Sequence, residues 1–258
     1  MGALQVLGGL WRLVVVFVAC IGMSYVLFSR LLERHPSLAD TLSWNLSFED
    51  IQRGDVSAAL RSAMAEDFEL TVLCFASVFF IKQTFAIPGS ALLNVIAGVL
   101  LPIHFAFPLV CFLTMCGASS CYILSSTLGS HESLVSMTDY FLPGKLDILQ
   151  AQIDAARNEQ RLMFVLLFLR IFPFSPNWLL NMASPYLNIP LFLFAPSVFF
   201  GLMPYNYVTV KAGSMLSNLQ GIRDIFDLQT VLGFLTLAAL MLVPAVVKRA
   251  NCAAKKSQ

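Results

Sequence analysis

Charge is what this chain has least of. Lys and Arg number 16 and Asp and Glu 15 in 258 residues, 12% in all, about half the roughly 25% of an ordinary soluble domain. The hydrophobic fraction is 58% and the mean hydropathy +0.77, which makes this an integral membrane protein. A net charge of +1 is too balanced for a nucleic-acid partner, which needs a basic footprint. The three histidines, His35, His104 and His131, stand far apart, and no CxxC pair occurs. Cys111, Cys116 and Cys121 turn by about 500° per step on a helix and share no face. Neither a metal site nor a cofactor is expected. Most cysteines lie in apolar runs, where the residue behaves as a small hydrophobe. There is no nucleophile–base pair and no Gly-rich phosphate loop with lysine, so the chain does not read as an enzyme.

What is present is a series of apolar runs with informative interruptions. Residues 13–29 lie between Arg12 and Arg30 and are long enough to cross a bilayer. No clear small-x-small cleavage site follows this run, so residues 1–30 read as an uncleaved anchor rather than a signal peptide. Residues 31–69 are polar, with eight acidic residues against three basic, and read as a lumenal loop. In that setting Asn45, which opens an Asn-Leu-Ser sequon, is open to glycosylation. Further apolar runs follow at 70–81, 84–102, 104–128, 191–213 and, after a loop from 216, 230–247. The 248–258 tail carries Lys248, Arg249, Lys255 and Lys256 and no acid, which places it in the cytosol. Lys255 and Lys256, fourth and third from the carboxyl end, match a dilysine signal read by coat proteins for retrieval to the endoplasmic reticulum. Five crossings and six both fit the runs; six puts both ends in the cytosol. Within 143–161, Leu146, Leu149, Ile153 and Ala156 recur at helical spacing among charges. That pattern suits a helix lying on the membrane surface or a solvated connecting helix.

Two segments are apolar enough to enter the bilayer yet cannot be plain spanning helices. The stretch 162–190 holds Arg170, four prolines (Pro173, Pro176, Pro185, Pro190) and three asparagines (Asn177, Asn181, Asn188). An arginine at mid-membrane costs roughly 2.5–3.5 kcal/mol on insertion scales, and each proline removes a backbone donor. Broken backbone at that depth must be buried in protein or line a wet cavity. The stretch 82–102 is composed alike. It opens with Lys82, breaks at the turn signal Pro88-Gly89, and resumes with Ser90, suited to cap an apolar helix that carries Asn94 and Gly98. Both read as re-entrant hairpins, and a matched pair of broken segments points to a site near the membrane midplane. Arg170 has two readings, a guanidinium that receives a lipid phosphate or a structural group tying down carbonyls freed by Pro173 and Pro176. Asn177 and Asn181, one turn apart, either line a polar groove or bond to the facing hairpin. Between the hairpins Gly117, Cys121, Ser125 and Gly129 recur every four residues, a stripe suited to close helix packing.

Phe85–Gly98, Leu167–Asn181, Ser184–Pro190 and Gly201–Ser214 together resemble the DedA, or VTT-domain, family, in particular its eukaryotic transmembrane protein 41 group. The likeness covers about 70–215. It implies an all-α polytopic membrane protein, a helical bundle with two opposed re-entrant helical hairpins. Eukaryotic relatives of this kind are similar in acting as energy-independent phospholipid scramblases of the endoplasmic reticulum, tied to autophagosome and lipoprotein lipid supply. Bacterial relatives resemble carriers of lipid-linked phosphates, with an arginine where Arg170 stands and acidic residues around the first hairpin. Here that hairpin holds Lys82 and Ser90 and no carboxylate. The expectation is passive movement of phospholipid headgroups along a groove lined by Lys82, Pro88, Gly89, Ser90, Asn94, Gly98, Arg170, Pro173, Pro176, Asn177 and Asn181. The alternatives are an ion- or proton-coupled transporter of a lipid phosphate or small anion, and a non-transporting scaffold that recruits partners through the 143–161 helix.

Overall fold

The computed structural model of the chain describes residues 2–41, 55–128, 146–158, 161–172 and 176–217. Asn45, Gly129, Pro173, the 230–247 run and the tail with Lys255 and Lys256 lie outside them. The described residues form helices and turns without a strand: an all-α membrane protein. The helices are α1 (Gly2–Arg34), α2 (Pro36–Thr41), α3 (Asp55–Glu66), α4 (Phe68–Thr84), α5 (Ser90–Leu100), α6 (Ile103–Leu128), α7 (Leu146–Asn158), α8 (Leu162–Ile171), α9 (Asn177–Ala183), α10 (Leu191–Gly201) and α11 (Met203–Ser217). Three stretches among the described residues are long and apolar enough to cross a membrane: Trp11–Arg34, Ile103–Leu128 and Leu191–Met215. They coincide with the runs at 13–29, 104–128 and 191–213.

The polar 31–69 stretch, expected as a loop between membrane segments, carries helices of its own. Where it is described it is helical, in the end of α1, in α2 and in α3. Leu31, Leu38 and Ala63 from these helices are buried with Cys74 of α4 in one apolar cluster. An alternating acidic and apolar pattern, with one buried face every turn, explains a charged segment that still packs. Arg34 donates to Asp67 at 3.0 Å, and the His35 ring lies 3.5 Å from Glu66 and 3.3 Å from Asp67, tying the end of α1 to the start of α4.

α6 is the axis of the rest. Its first half joins Met64, Phe79, Ala97, Leu101 and Val210 around Ala106, Val110 and Leu113. Ala118, in its second half, belongs to a separate core with Leu162, Leu166, Ala183, Phe194 and Val198. α7 contributes Ile153 and Ala156 to that second core, and Arg157 donates to the Leu187 carbonyl at 2.8 Å and the Asn188 carbonyl at 3.0 Å. α7 thus packs Ile153 and Ala156, from one of its faces, against the protein itself.

The most extensive helix pairing joins α5 to α11. Two glycines allow it: a Cβ on Gly98 would run into the Val210 carbonyl, and a Cβ on Gly213 into the Val95 carbonyl. Asn94 sits in this seam, fully buried, donating to Asn206 Oδ1 at 3.1 Å and Thr209 Oγ1 at 2.8 Å. Asn206 in turn donates to Cys111 Sγ at 3.6 Å.

Candidate functional site

Both apolar segments are broken where proline chemistry requires it, and the two breaks close in the same way. After α4, the Ala86 N–H donates to the Gln83 carbonyl and the Ile87 N–H to the Lys82 carbonyl, with Ala86 left-handed at φ 54°. After α9, Asn188 N–H donates to Pro185 O and Ile189 N–H to Ser184 O, with Asn188 also at φ 54°. These are paired five-to-two and six-to-one closures around one left-handed residue. In each case isoleucine and proline follow, because Pro88 and Pro190 hold the preceding residue out of the helical region. Gly89, at φ 112°, then caps α5 and Pro190 caps α10. Ser90 is thus the first residue of α5 rather than its cap, and no side-chain cap bond forms there.

The Ser90 hydroxyl instead accepts from the Lys82 ammonium, which also donates to Gln83 Oε1 at 3.1 Å. Lys82 is only 8% exposed, and both of its hydrogen-bond partners are neutral. It ties the last turn of α4 to the first of α5 across the break. Gly117 on α6 leaves room for this: a Cβ there would come 2.6 Å from the Gln83 Cβ.

The second break is built around the other buried cation. Arg170 is 4% exposed and donates through Nη1 to Asn181 Oδ1 at 2.7 Å, and to the carbonyl and side-chain oxygens of Asn177 at 3.3 Å. Its guanidinium carbon lies 4.9 Å from the centre of the Phe194 ring. Gly201 clears space on α10, where a Cβ would come 2.5 Å from the Arg170 Cβ. Among the described residues no ion pair neutralises either Lys82 or Arg170. Each charge is spread over oriented dipoles and a π-face, which for Lys82 is the Phe79 ring with its centre 5.9 Å from Nζ.

Between the breaks lies a cavity of about 480 Å³. One wall is Lys82, Gln83, Ala86, Ile87, Pro88 and Ser90; the other is Asn177, Trp178 and Asn181. The structure thus brings together Lys82, Pro88, Ser90, Asn177 and Asn181, five of the residues that the sequence singled out. Gly89 shapes the first wall without lining this cavity, and Pro176 caps α9. Arg170 stands behind the asparagines rather than in the cavity, so it positions the wall. Asn94 and Gly98 do not reach the cavity either; they belong to the α5–α11 seam. Gln83 and Trp178 are lining residues that sequence reasoning missed; the signal for Gln83 was an amide beside a lysine at the end of an apolar run. Among the described residues no carboxylate lines the cavity and no His/Cys/Asp/Glu cluster suits a metal ion.

The packing stripe on α6 meets both breaks. Beyond Gly117, Cys121 is buried, and Ser125 Oγ donates to the Met182 carbonyl while Tyr186 Oη donates to the Ser125 carbonyl, both at 2.8 Å. α6 therefore sets the spacing of the two cavity walls.

On the other side of the first break a second, apolar groove of about 580 Å³ opens against α1, and Lys82, Ile87 and Pro88 border both spaces.

Comparison with known proteins agrees with this architecture. The VTT domain profile matches residues 87–215, from the first break to the end of α11. The chain is 33% identical over 203 residues to a transmembrane protein 41 homolog of Dictyostelium discoideum, covering 79% of this chain and 58% of that protein. It is 35% identical over 178 residues to an uncharacterized membrane protein of Arabidopsis thaliana, covering 69% and 60%. Against human transmembrane protein 41B it is 35% identical over 181 residues, covering 70% and 60%. The chain spans about three-fifths of the length of these relatives. No solved structure matches it significantly. With a profile match from the first break to the last described helix, and these relatives beside it, the chain belongs to the VTT-domain family of membrane proteins, in the company of the transmembrane protein 41 proteins.

Proposed function

We propose that this protein is an energy-independent phospholipid scramblase of the endoplasmic reticulum membrane. In this reading the two broken segments enter as re-entrant hairpins from opposite leaflets, and the cavity between them takes the lipid headgroup. The observation that carries the reading is that cavity: an ammonium, a hydroxyl and amides from both breaks face one space of about 480 Å³. Moving a polar headgroup through hydrocarbon without partners is costly, and a polar wall supplied by two hairpins lowers that barrier without doing chemistry on the lipid. Lys82 attracts the phosphate, Asn177 and Asn181 offer amides, and Arg170 fixes the asparagines from behind.

A coupled transporter needs a group that loads and releases a proton or ion, and the cavity walls carry no carboxylate for that task. The scaffold reading loses support because Ile153 and Ala156 of α7 pack inside the fold rather than towards a partner. The test is purified protein in liposomes holding a trace of fluorescent phospholipid, with a membrane-impermeant quencher added outside. A scramblase exposes inner-leaflet label to the quencher; a quenching plateau equal to that of protein-free liposomes refutes the proposal. Flux that requires an imposed pH gradient would favour coupled transport instead.

A further inference from the structure

The groove against α1 and the cavity between the breaks are separated only by Lys82, Ile87 and Pro88, and their chemistries are complementary. The cavity offers Lys82, Gln83, Ser90, Asn177 and Asn181. The groove is apolar, walled by Ile21, Tyr25 and Phe28 of α1 and by Val78, Ile81 and Leu92 of α4 and α5. Its volume, about 580 Å³, lies within the roughly 300–1,000 Å³ of small-molecule sites. The three α1 residues are spaced by four and then three, so they form one stripe on one face of the helix. α1 is held at two points on either side of this stripe. The Phe17 ring meets Phe85 edge-on at 4.7 Å, and Leu31 is buried with Leu38, Ala63 and Cys74. The groove is what remains open between the two attachments.

We infer that groove and cavity form one binding site for a phospholipid, with the phosphodiester at Lys82 and an acyl chain in the α1 groove. The Lys82 ammonium has three donors, and its two bonds go to the neutral Gln83 and Ser90 oxygens. Beside the Phe79 ring at 5.9 Å, and with no carboxylate paired to it among the described residues, its charge stands without a counter-ion at the border between a polar and an apolar space. A molecule with an anionic group joined to a long apolar chain meets both demands. A free phosphate leaves the groove empty, and a neutral lipid leaves the ammonium unmet. α1 and α4, the latter with Lys82, lie before the matched domain at 87–215, so this site recruits two helices from outside it. The inference rests on the reading that lipid headgroups occupy the cavity, and it adds where the chain lies and which group holds the phosphate.

The test uses the full chain in detergent micelles with one equivalent of a phosphatidylcholine carrying a diazirine midway along one acyl chain. After photolysis, adducts are mapped on α1 by peptide mass spectrometry. They are expected on Ile21, Tyr25 and Phe28 in preference to Val16 and Met23, which are exposed on the opposite face. Lys82→Met lowers groove labelling about tenfold, the loss expected for one charge-assisted hydrogen bond. A diacylglycerol with the same chains labels at that lower level. Ile21→Trp fills the groove without touching the charge and abolishes labelling there, which keeps the test decisive if Lys82→Met does not fold. Even labelling around α1, or equal labelling by phospholipid and diacylglycerol, overturns the inference. Protein that labels in the groove but does not scramble defeats the proposed function alone; protein that scrambles without groove labelling defeats only this inference.

Discussion

The coupling between Arg170 and Asn181 can be measured directly. Asn181 is almost fully buried, and its Oδ1 takes a 2.7 Å hydrogen bond from the guanidinium. Hydrogen bonds to charged groups contribute about 1.5–3 kcal/mol; the 3.3 Å contacts to Asn177 belong at the weak end. The Phe194 face adds up to about 2 kcal/mol when desolvated, while Arg170→Met relieves part of the cost of burying the charge. The net expected loss on Arg170→Met is about 2 kcal/mol, dominated by the orphaned Asn181 oxygen. Asn181→Leu removes the same bond from the other side and should cost a similar amount. The double variant should cost little more than either single, a coupling of about 1–2 kcal/mol. Arg170→Lys keeps the charge but loses the planar fork, so it should fall between wild type and Arg170→Met. The assay is unfolding in mixed micelles followed by Trp178 emission, in a background with Trp11 and Trp44 replaced by phenylalanine. Single losses that add to within about 0.5 kcal/mol in the double variant would show that Arg170 does not act through Asn181.

Gly98→Ala and Gly213→Ala should each cost near the upper end of the ~1–3 kcal/mol typical of overpacking, because the obstacle is a backbone carbonyl that no rotamer change can move; the same unfolding assay reads it. Ala86→Gly should stabilise by about 1 kcal/mol, since Ala86 holds a left-handed conformation that only glycine adopts without steric cost; no gain would mean the break relaxes away from that conformation. The Arg34 hydrogen bond, aided by the charges of Arg34 and His35, holds the Asp67 carboxyl below its ordinary 3.8. A depressed folded pKa gives stability that is present above the unfolded value and lost as pH falls through the folded one. Spin-label distances between α1 and α4 should therefore lengthen only in strong acid, and Asp67→Asn should flatten that response.

The breaks were legible because proline and glycine impose their geometry locally: Pro88-Gly89, Pro176 and Pro190 all stand where helices start. Lys82 and Arg170 were legible as charges in apolar runs. Which polar residue faces the cavity was not. Asn94 and Asn181 look alike in sequence, each an amide in a short apolar helix, yet Asn94 is committed to Asn206, 112 residues further on, and no local pattern announces such a partner. Arg170 could not be placed behind the asparagines for a similar reason, since its orientation depends on the room left by Gly201 on another helix. The kinship of Ala86-Ile87-Pro88 and Asn188-Ile189-Pro190 was within reach, but one left-handed residue is alanine and hides the signature that glycine would have displayed. In residues 31–69 net charge misleads where spacing does not: Ala59, Leu60, Ala63 and Met64 already trace a helical face.

The seam between α5 and α11 also sets a schedule for making the protein. Asn94 is synthesised 112 residues before Asn206; at about 5–20 residues per second, its partner follows roughly 6–22 s later. For that interval α5 carries an unmatched amide and a bare glycine face into the membrane, and the long helix α6 must be inserted before either is covered. The nascent first half is thus obliged to wait for the last described helix, which gives membrane-insertion machinery or a neighbouring lipid headgroup a defined window in which to shelter it.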